Sequence, residues 1–100
     1  MKLFALTRKA QDDLRNIALY TEDQWGVAQR NIYIKKFDDT FHTLGENPAI
    51  GKECDEVMPG YRKFPEGSHI IFYKPGTTSV IEVIRILHKS MDAPTQLSGA

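Results

Sequence analysis

The apolar positions of the chain change period twice. A short run, "LFAL" at 3–6, reads as a strand candidate closing on Thr7. From Arg8 to Trp25 the apolar residues Ala10, Leu14, Ile17 and Ala18 fall at helical spacing, with Gln11, Asp12, Asp13, Arg15 and Asn16 mostly outside the stripe. Thr7 precedes this stretch as an N-cap, its hydroxyl placed to accept from a first-turn N–H. Gly26 supplies a left-handed residue that ends the helix. A second helix is predicted from Val27 to about Leu44, with Arg30, Ile34, Phe37, Phe41 and Leu44 in its stripe and Ile32 and Tyr33 broadening it. Gly45 and Asn47-Pro48 stop it.

Beyond Pro48 the period falls to two. "YRKF", "HIIFYK" and "SVIEVIRIL" are strand candidates. Pro65-Glu66-Gly67 suits a hairpin on a type I turn with Gly67 in a left-handed bulge, and Lys74-Pro75-Gly76-Thr77 suits a type II turn with Gly76 third. The expected fold class is α+β: an N-terminal strand, an antiparallel helix hairpin, then a three-stranded antiparallel meander with the helices across one face. One domain over 1–92 is predicted, followed by a small, polar, loosely held tail at 93–100.

Length and composition keep this picture and narrow the chemistry. One hundred residues suffice for one compact domain. The single cysteine, Cys54, cannot close an intramolecular disulfide. "LFAL" is too short for a signal-peptide core, and nothing later approaches a membrane span, so a cytoplasmic protein is expected. Thirteen basic residues balance thirteen acidic ones, which argues against a dedicated nucleic-acid binder. The charges are segregated, however. Residues 38–56 hold six acids against Lys52, whereas 57–92 hold Arg62, Lys63, Lys74, Arg85 and Lys89 against three acids. A mildly basic face is compatible with that distribution; a strongly basic one is not.

No high-specificity catalytic motif is present. "PGTTS" at 75–79 lacks the lysine and second glycine of a phosphate loop and reads as a turn. Cys54, His42, His69 and His88 lie on different elements without ligand spacing, so no metal and no cofactor are expected. Arg85 and His88 suggest general acid–base cleavage of a phosphodiester. Their odd separation sends them to opposite faces of a regular strand, and Lys89 follows where a second acid or stacking aromatic would help. Arg85 is equally suited to an ion pair with Glu66, Glu82 or a partner. Phe37, Phe41 and Phe72 read as core, and Tyr20 and Trp25 as staples of the helix hairpin. Tyr61, Phe64 and Tyr73 are expected to be half exposed on the meander, beside a free sheet edge that invites a partner.

The residues also carry a family likeness. Four pieces occur in order: "LT" with "A..DL..I..YT...WG" (6–26), "Q...YI..F...F..L..NP..G" (29–51), "GYR.F..G.H.IFY" (60–73) and "I.VIRILH..MD" (81–92). Each is weak alone; together they cover about nine tenths of the chain, and it resembles the ParE branch of the RelE/ParE superfamily of bacterial type II toxin–antitoxin modules. The resemblance implies a helix hairpin on a small antiparallel sheet. It implies a non-enzymatic toxin that traps DNA gyrase on cleaved DNA, blocks replication and is neutralised by a ParD-like antitoxin that folds on it. Tyr61, Arg62, Phe64, Tyr73, Arg85, Lys89 and Trp25 are the candidate partner contacts. Two alternatives remain: a ribosome-dependent mRNA endonuclease using Arg85, His88 and Arg62, or an inactive member that only binds antitoxin. The zero net charge and Lys89 depart from the endonuclease branch; His88 is common to both.

Overall fold

The computed structural model describes residues 1–91 and 93–97. Its elements are β1 (Lys2–Leu6), α1 (Arg8–Trp25), α2 (Val27–Glu46), a 3-10 turn (Pro48–Ile50), β2 (Lys52–Glu53), β3 (Arg62–Glu66), β4 (His69–Pro75), β5 (Ser79–His88) and α3 (Ala93–Leu97). The α+β expectation is borne out, with a larger sheet than the meander. Five strands stand in the order β1-β5-β4-β3-β2. β1 pairs parallel with β5, which places β5 at the centre, and the two-residue β2 extends the far edge.

Thr7 is the hinge between sheet and hairpin. Its N–H reaches the Val83 carbonyl at 3.0 Å and its hydroxyl donates to the Ile84 carbonyl at 2.8 Å. The same oxygen accepts from Ala10 N–H at 3.1 Å, the N-cap bond foreseen from its position. Gly26 joins the helices with φ 91° and ψ 171°, a combination open essentially to glycine alone. The chain therefore reverses in one residue. α1 and α2 then lie on the inner face of the sheet, where Ala10, Ile17, Phe37, Phe41 and Leu44 meet Ile71, Tyr73, Ile81, Val83 and Ile86.

Two turns differ from the readings above. Glu66 pairs directly with His69, leaving the two-residue loop Gly67-Ser68. Gly67 has φ 59° and Ser68 a negative φ, the signs required by a type II′ hairpin, which follows the right-handed twist of its strands. Gly76 does not take a positive φ, so the 74–77 connection is not type II. It needs glycine for space: a Cβ there would stand 2.4 Å from Ser79 Oγ.

The outer face of the sheet carries a second, smaller core of Cys54, Phe72, Ile84, Leu87 and Leu97. Its lid includes α3, where the tail was expected to hang loosely. Leu97 is only 1% exposed, and Gln96 offers its carbonyl to Arg85. One leucine in a polar tail, set over an apolar sheet face, is enough to dock that turn. The rest of the tail expectation, 98–100, lies outside the described residues.

Candidate functional site

β5 decides where the chemistry-bearing side chains go. Phe72 pairs with Arg85 but Tyr73 pairs with Val83, so Ile84 is an extra residue in β5. This bulge lies before Arg85, and the stretch from 85 to 88 stays regular; the two side chains leave opposite faces, as their spacing requires. Where β1 ends, Asp13 of α1 takes over its edge. One carboxylate oxygen accepts from Ile86 N–H at 3.0 Å and from Arg85 Nε at 2.7 Å; the other accepts from Arg85 Nη2 at 2.9 Å. The pair is half-buried, with side chains 15% and 14% exposed, and these bonds hold the guanidinium pKa above its usual value. Arg85 is thus committed within the chain, to Asp13 rather than to Glu66 or Glu82.

Other candidates on the sheet are similarly occupied. Tyr73 is 1% exposed, not half exposed, because its inward position in β4 points beneath the 3-10 turn. Its hydroxyl donates to the Pro48 carbonyl at 2.7 Å and accepts from Gly51 N–H at 2.9 Å, and burial raises its pKa. A contact surface at Tyr73 is corrected to a core position. Arg62 clamps the same turn through the Gly51 carbonyl at 2.8 Å and lies near Glu53. Tyr61 and Phe64 are half-buried, against the outer and inner cores respectively. Lys89 is exposed.

His88 ends β5 opposite His69, four residues along β4 from the partner of Arg62. At about 3.4 Å per residue, Arg62 and His88 are separated by roughly 14 Å along the strand direction, and they lie on strands either side of β4. Arg85, His88 and Arg62 do not converge on one point.

A different group does. The tip of the helix hairpin and the β3–β4 turn enclose an open cleft of about 560 Å³, lined by Tyr20, Thr21, Trp25, Gln29 and Tyr33 on one side and by Gly67, Ser68, His69 and His88 on the other. Tyr33 Oη lies 2.9 Å from His69 Nδ1, and the His69 and His88 rings meet edge to face with centroids 5.4 Å apart. Burial, and secondarily the charge of His88, lower the His69 pKa below 6.5, with Asp13 acting in the opposite sense. At neutral pH the floor is therefore an uncharged Tyr–His pair. Ser90 holds His88 from the rim, its Oγ 2.7 Å from Nδ1.

Tyr20 and Trp25 do not staple the hairpin; they are 66% and 72% exposed at the mouth of the cleft, with Leu19, Val27 and Ile32 also outward. The glycine reversal brings the helices together without needing aromatic cover, which frees Trp25 for another surface. The sequence reading missed Tyr33, His69, Thr21 and Gln29 as a group. Its available signal was a tyrosine beside the apolar stripe of α2 and a histidine at the start of a strand, and neither spacing links them. Chemically the cleft can seat an apolar or aromatic side chain and offer it a few hydrogen bonds. Among the described residues, no cluster of three metal-ligating side chains occurs, and no helix is long and apolar enough to cross a membrane.

With that geometry established, comparison with known proteins places the chain. A family model described as ParE toxin of the type II toxin–antitoxin system, parDE, matches residues 4–93. Toxin ParE1 of Caulobacter vibrioides is 38% identical over 97 residues, covering 97% of this chain and 99% of its own length. Toxin ParE1 of Mycobacterium tuberculosis is 39% identical over 94 residues, 94% of this chain and 96% of its own. Toxin ParE of Escherichia coli is 34% identical over 98 residues, 98% and 95% respectively. The chain belongs to the ParE toxin family of type II toxin–antitoxin systems. A solved structure titled as the chromosomal ParDE system of P. aeruginosa shares the fold, with TM-score 0.74 and 19% identity over 88% of this chain and 96% of that one.

Proposed function

We propose that this protein is a growth-arresting toxin that acts without chemistry of its own, by holding DNA gyrase on cleaved DNA, and that a ParD-like antitoxin neutralises it. The observation that carries the non-enzymatic reading is the dispersal of Arg85, His88 and Arg62. Arg85 is closed by Asp13, Arg62 is spent on the Gly51 carbonyl, and His88 stands at the far end of the sheet. The antitoxin is assigned to the cleft at the hairpin tip. An amphipathic segment, disordered on its own, would set an apolar residue between Trp25, Tyr20 and the Tyr33–His69 floor. That arrangement favours a hot spot, since an exposed tryptophan beside a pocket contributes strongly when covered.

Purified toxin is expected to inhibit gyrase supercoiling and accumulate cleaved DNA, with relief on adding the antitoxin. Full supercoiling at excess toxin rules the reading out. One observation favours the endonuclease alternative: Tyr33, His69 and His88 gather three titratable groups in one cleft. Induction in cells separates the two, because gyrase poisoning triggers the SOS response whereas endonuclease action arrests translation with cut transcripts that His88→Ala abolishes.

A further inference from the structure

The outer face of the sheet carries charges arranged at a cost to stability. Lys52 and Lys63 pair directly across β2 and β3. Like charges in that position repel. Lys63 stands opposite Phe72 of the outer core, which fixes it to the outer face, and Lys74 lies two residues along the same strand, on the same side. Arg8 opens α1, whose first turn contains no acid, although cations there oppose the helix dipole. Arg8, Lys74 and Tyr61 line one shallow depression of about 320 Å³ together with the acid Glu82. Among the described residues, Arg8, Lys52 and Lys63 have no ion-pair partner, and Lys74 has only Glu82 at 3.9 Å. Asp55 and Glu56 border the row near Cys54.

A sequence free to choose would alternate these charges. Breaking local rules repeatedly on one face marks a surface kept for a partner. We infer that the row Lys52–Lys63–Lys74 with Arg8 is a sequence-independent docking strip for a nucleic-acid phosphate backbone. The three lysines sit on adjacent strands, with Lys74 offset by two residues, and span about 12 Å at a strand spacing of about 4.8 Å and a rise of about 3.4 Å per residue. Successive phosphates of one strand rise about 3.4 Å each, so the strip reaches two or three of them. Lysine ammonium groups suit this task as point charges that need no fixed geometry. The lysines are on the opposite face of the sheet from the cleft, and Arg8 stands at the other end of α1 from it, so both can be occupied together. Its excess of positive charge is small, which makes binding weak and salt-sensitive.

The test needs neither gyrase nor antitoxin. Fluorescence anisotropy is measured with a labelled DNA duplex of random sequence and, separately, with polyglutamate. For three neutralised phosphates, DNA affinity should fall about 40-fold between 50 and 200 mM salt. Lys52→Glu and Arg8→Glu should each weaken DNA binding several-fold, while Lys36→Glu on the exposed side of α2 leaves it unchanged. The same two variants should raise Tm by about 1–4 °C, since each relieves a repulsion. That opposite movement of binding and stability separates a docking strip from a structural one. No DNA binding at 50 mM salt, binding to polyglutamate alone, an equal loss in Lys36→Glu, or a fall in Tm together with binding each overturns the proposal.

Discussion

The two ends of the inner face use the same kinds of residue in opposite ways. At the 3-10 turn, an aromatic and an arginine are turned inward: Tyr73 ties Pro48 to Gly51, and Arg62 holds the Gly51 carbonyl. At the hairpin tip, Tyr20 and Trp25 face solvent over a cleft whose floor is hydrogen-bonded but open. The closed end, with the Asp13–Arg85 pair between, supplies rigidity; the open end leaves apolar surface uncovered for something else. An exposed aromatic that adds nothing to the fold is better evidence of a partner than a polar residue whose every bond is satisfied.

The largest break in this contrast should come from Asp13→Ala. It strands the Arg85 charge and removes the acceptor of Ile86 N–H. For a half-buried pair, losing these charge-assisted hydrogen bonds costs about 1.5–3 kcal/mol, a fall in Tm of roughly 6 °C or more for a domain of about 100 residues. Urea unfolding checks this, and a loss below about 1 kcal/mol would mean that water replaces the carboxylate. Tyr73→Phe comes next. Losing the hydroxyl leaves the Gly51 N–H and Pro48 carbonyl unmatched, at a cost of about 1–3 kcal/mol in the same measurement.

Acid probes the floor of the cleft. The folded His69 pKa lies below 6.5, so in that interval the unfolded chain binds more protons than the folded one, and stability rises with pH. Its contribution is complete above about pH 6.5 and is lost as pH falls from there toward the folded pKa. His69→Gln should flatten the dependence of unfolding free energy on pH in that window, and His88→Ala should reduce it by removing the second cause of the shift. An unchanged slope in His69→Gln would assign the acid sensitivity elsewhere. The smallest effect on stability belongs to Trp25→Ala, within about 0.5 kcal/mol for so exposed a side chain. If the tip is the antitoxin seat, the same variant should weaken that complex by about 2 kcal/mol or more, measured by titration calorimetry. Equal affinity would return Trp25 to the ordinary surface.

How much of this was legible in the chain depends on the range of the interaction. The helices, their Thr7 cap and the one-residue reversal at Gly26 rest on contacts a few residues apart, and periodicity and turn chemistry report such contacts directly. The odd spacing of Arg85 and His88 correctly separated them, because the bulge falls outside the interval. The exposure of Tyr73 and Trp25 was misjudged. Alternation says that neighbouring strand residues face opposite ways without saying which face is covered, and on this sheet both are, unequally.

The ordered motifs from Leu6 to Asp92 by themselves determined the family and the α+β class, because together they encode the element order and its turns. Only the tertiary structure decided that Asp13 takes Arg85 across 72 positions of chain, that Leu97 closes the outer core, and that Tyr33, His69 and His88 share a cleft with Trp25. Those pairings depend on where β1 stops beside β5 and on how the hairpin lies over the sheet. Such geometry arises when apolar faces are buried against one another, and no spacing along the chain records it.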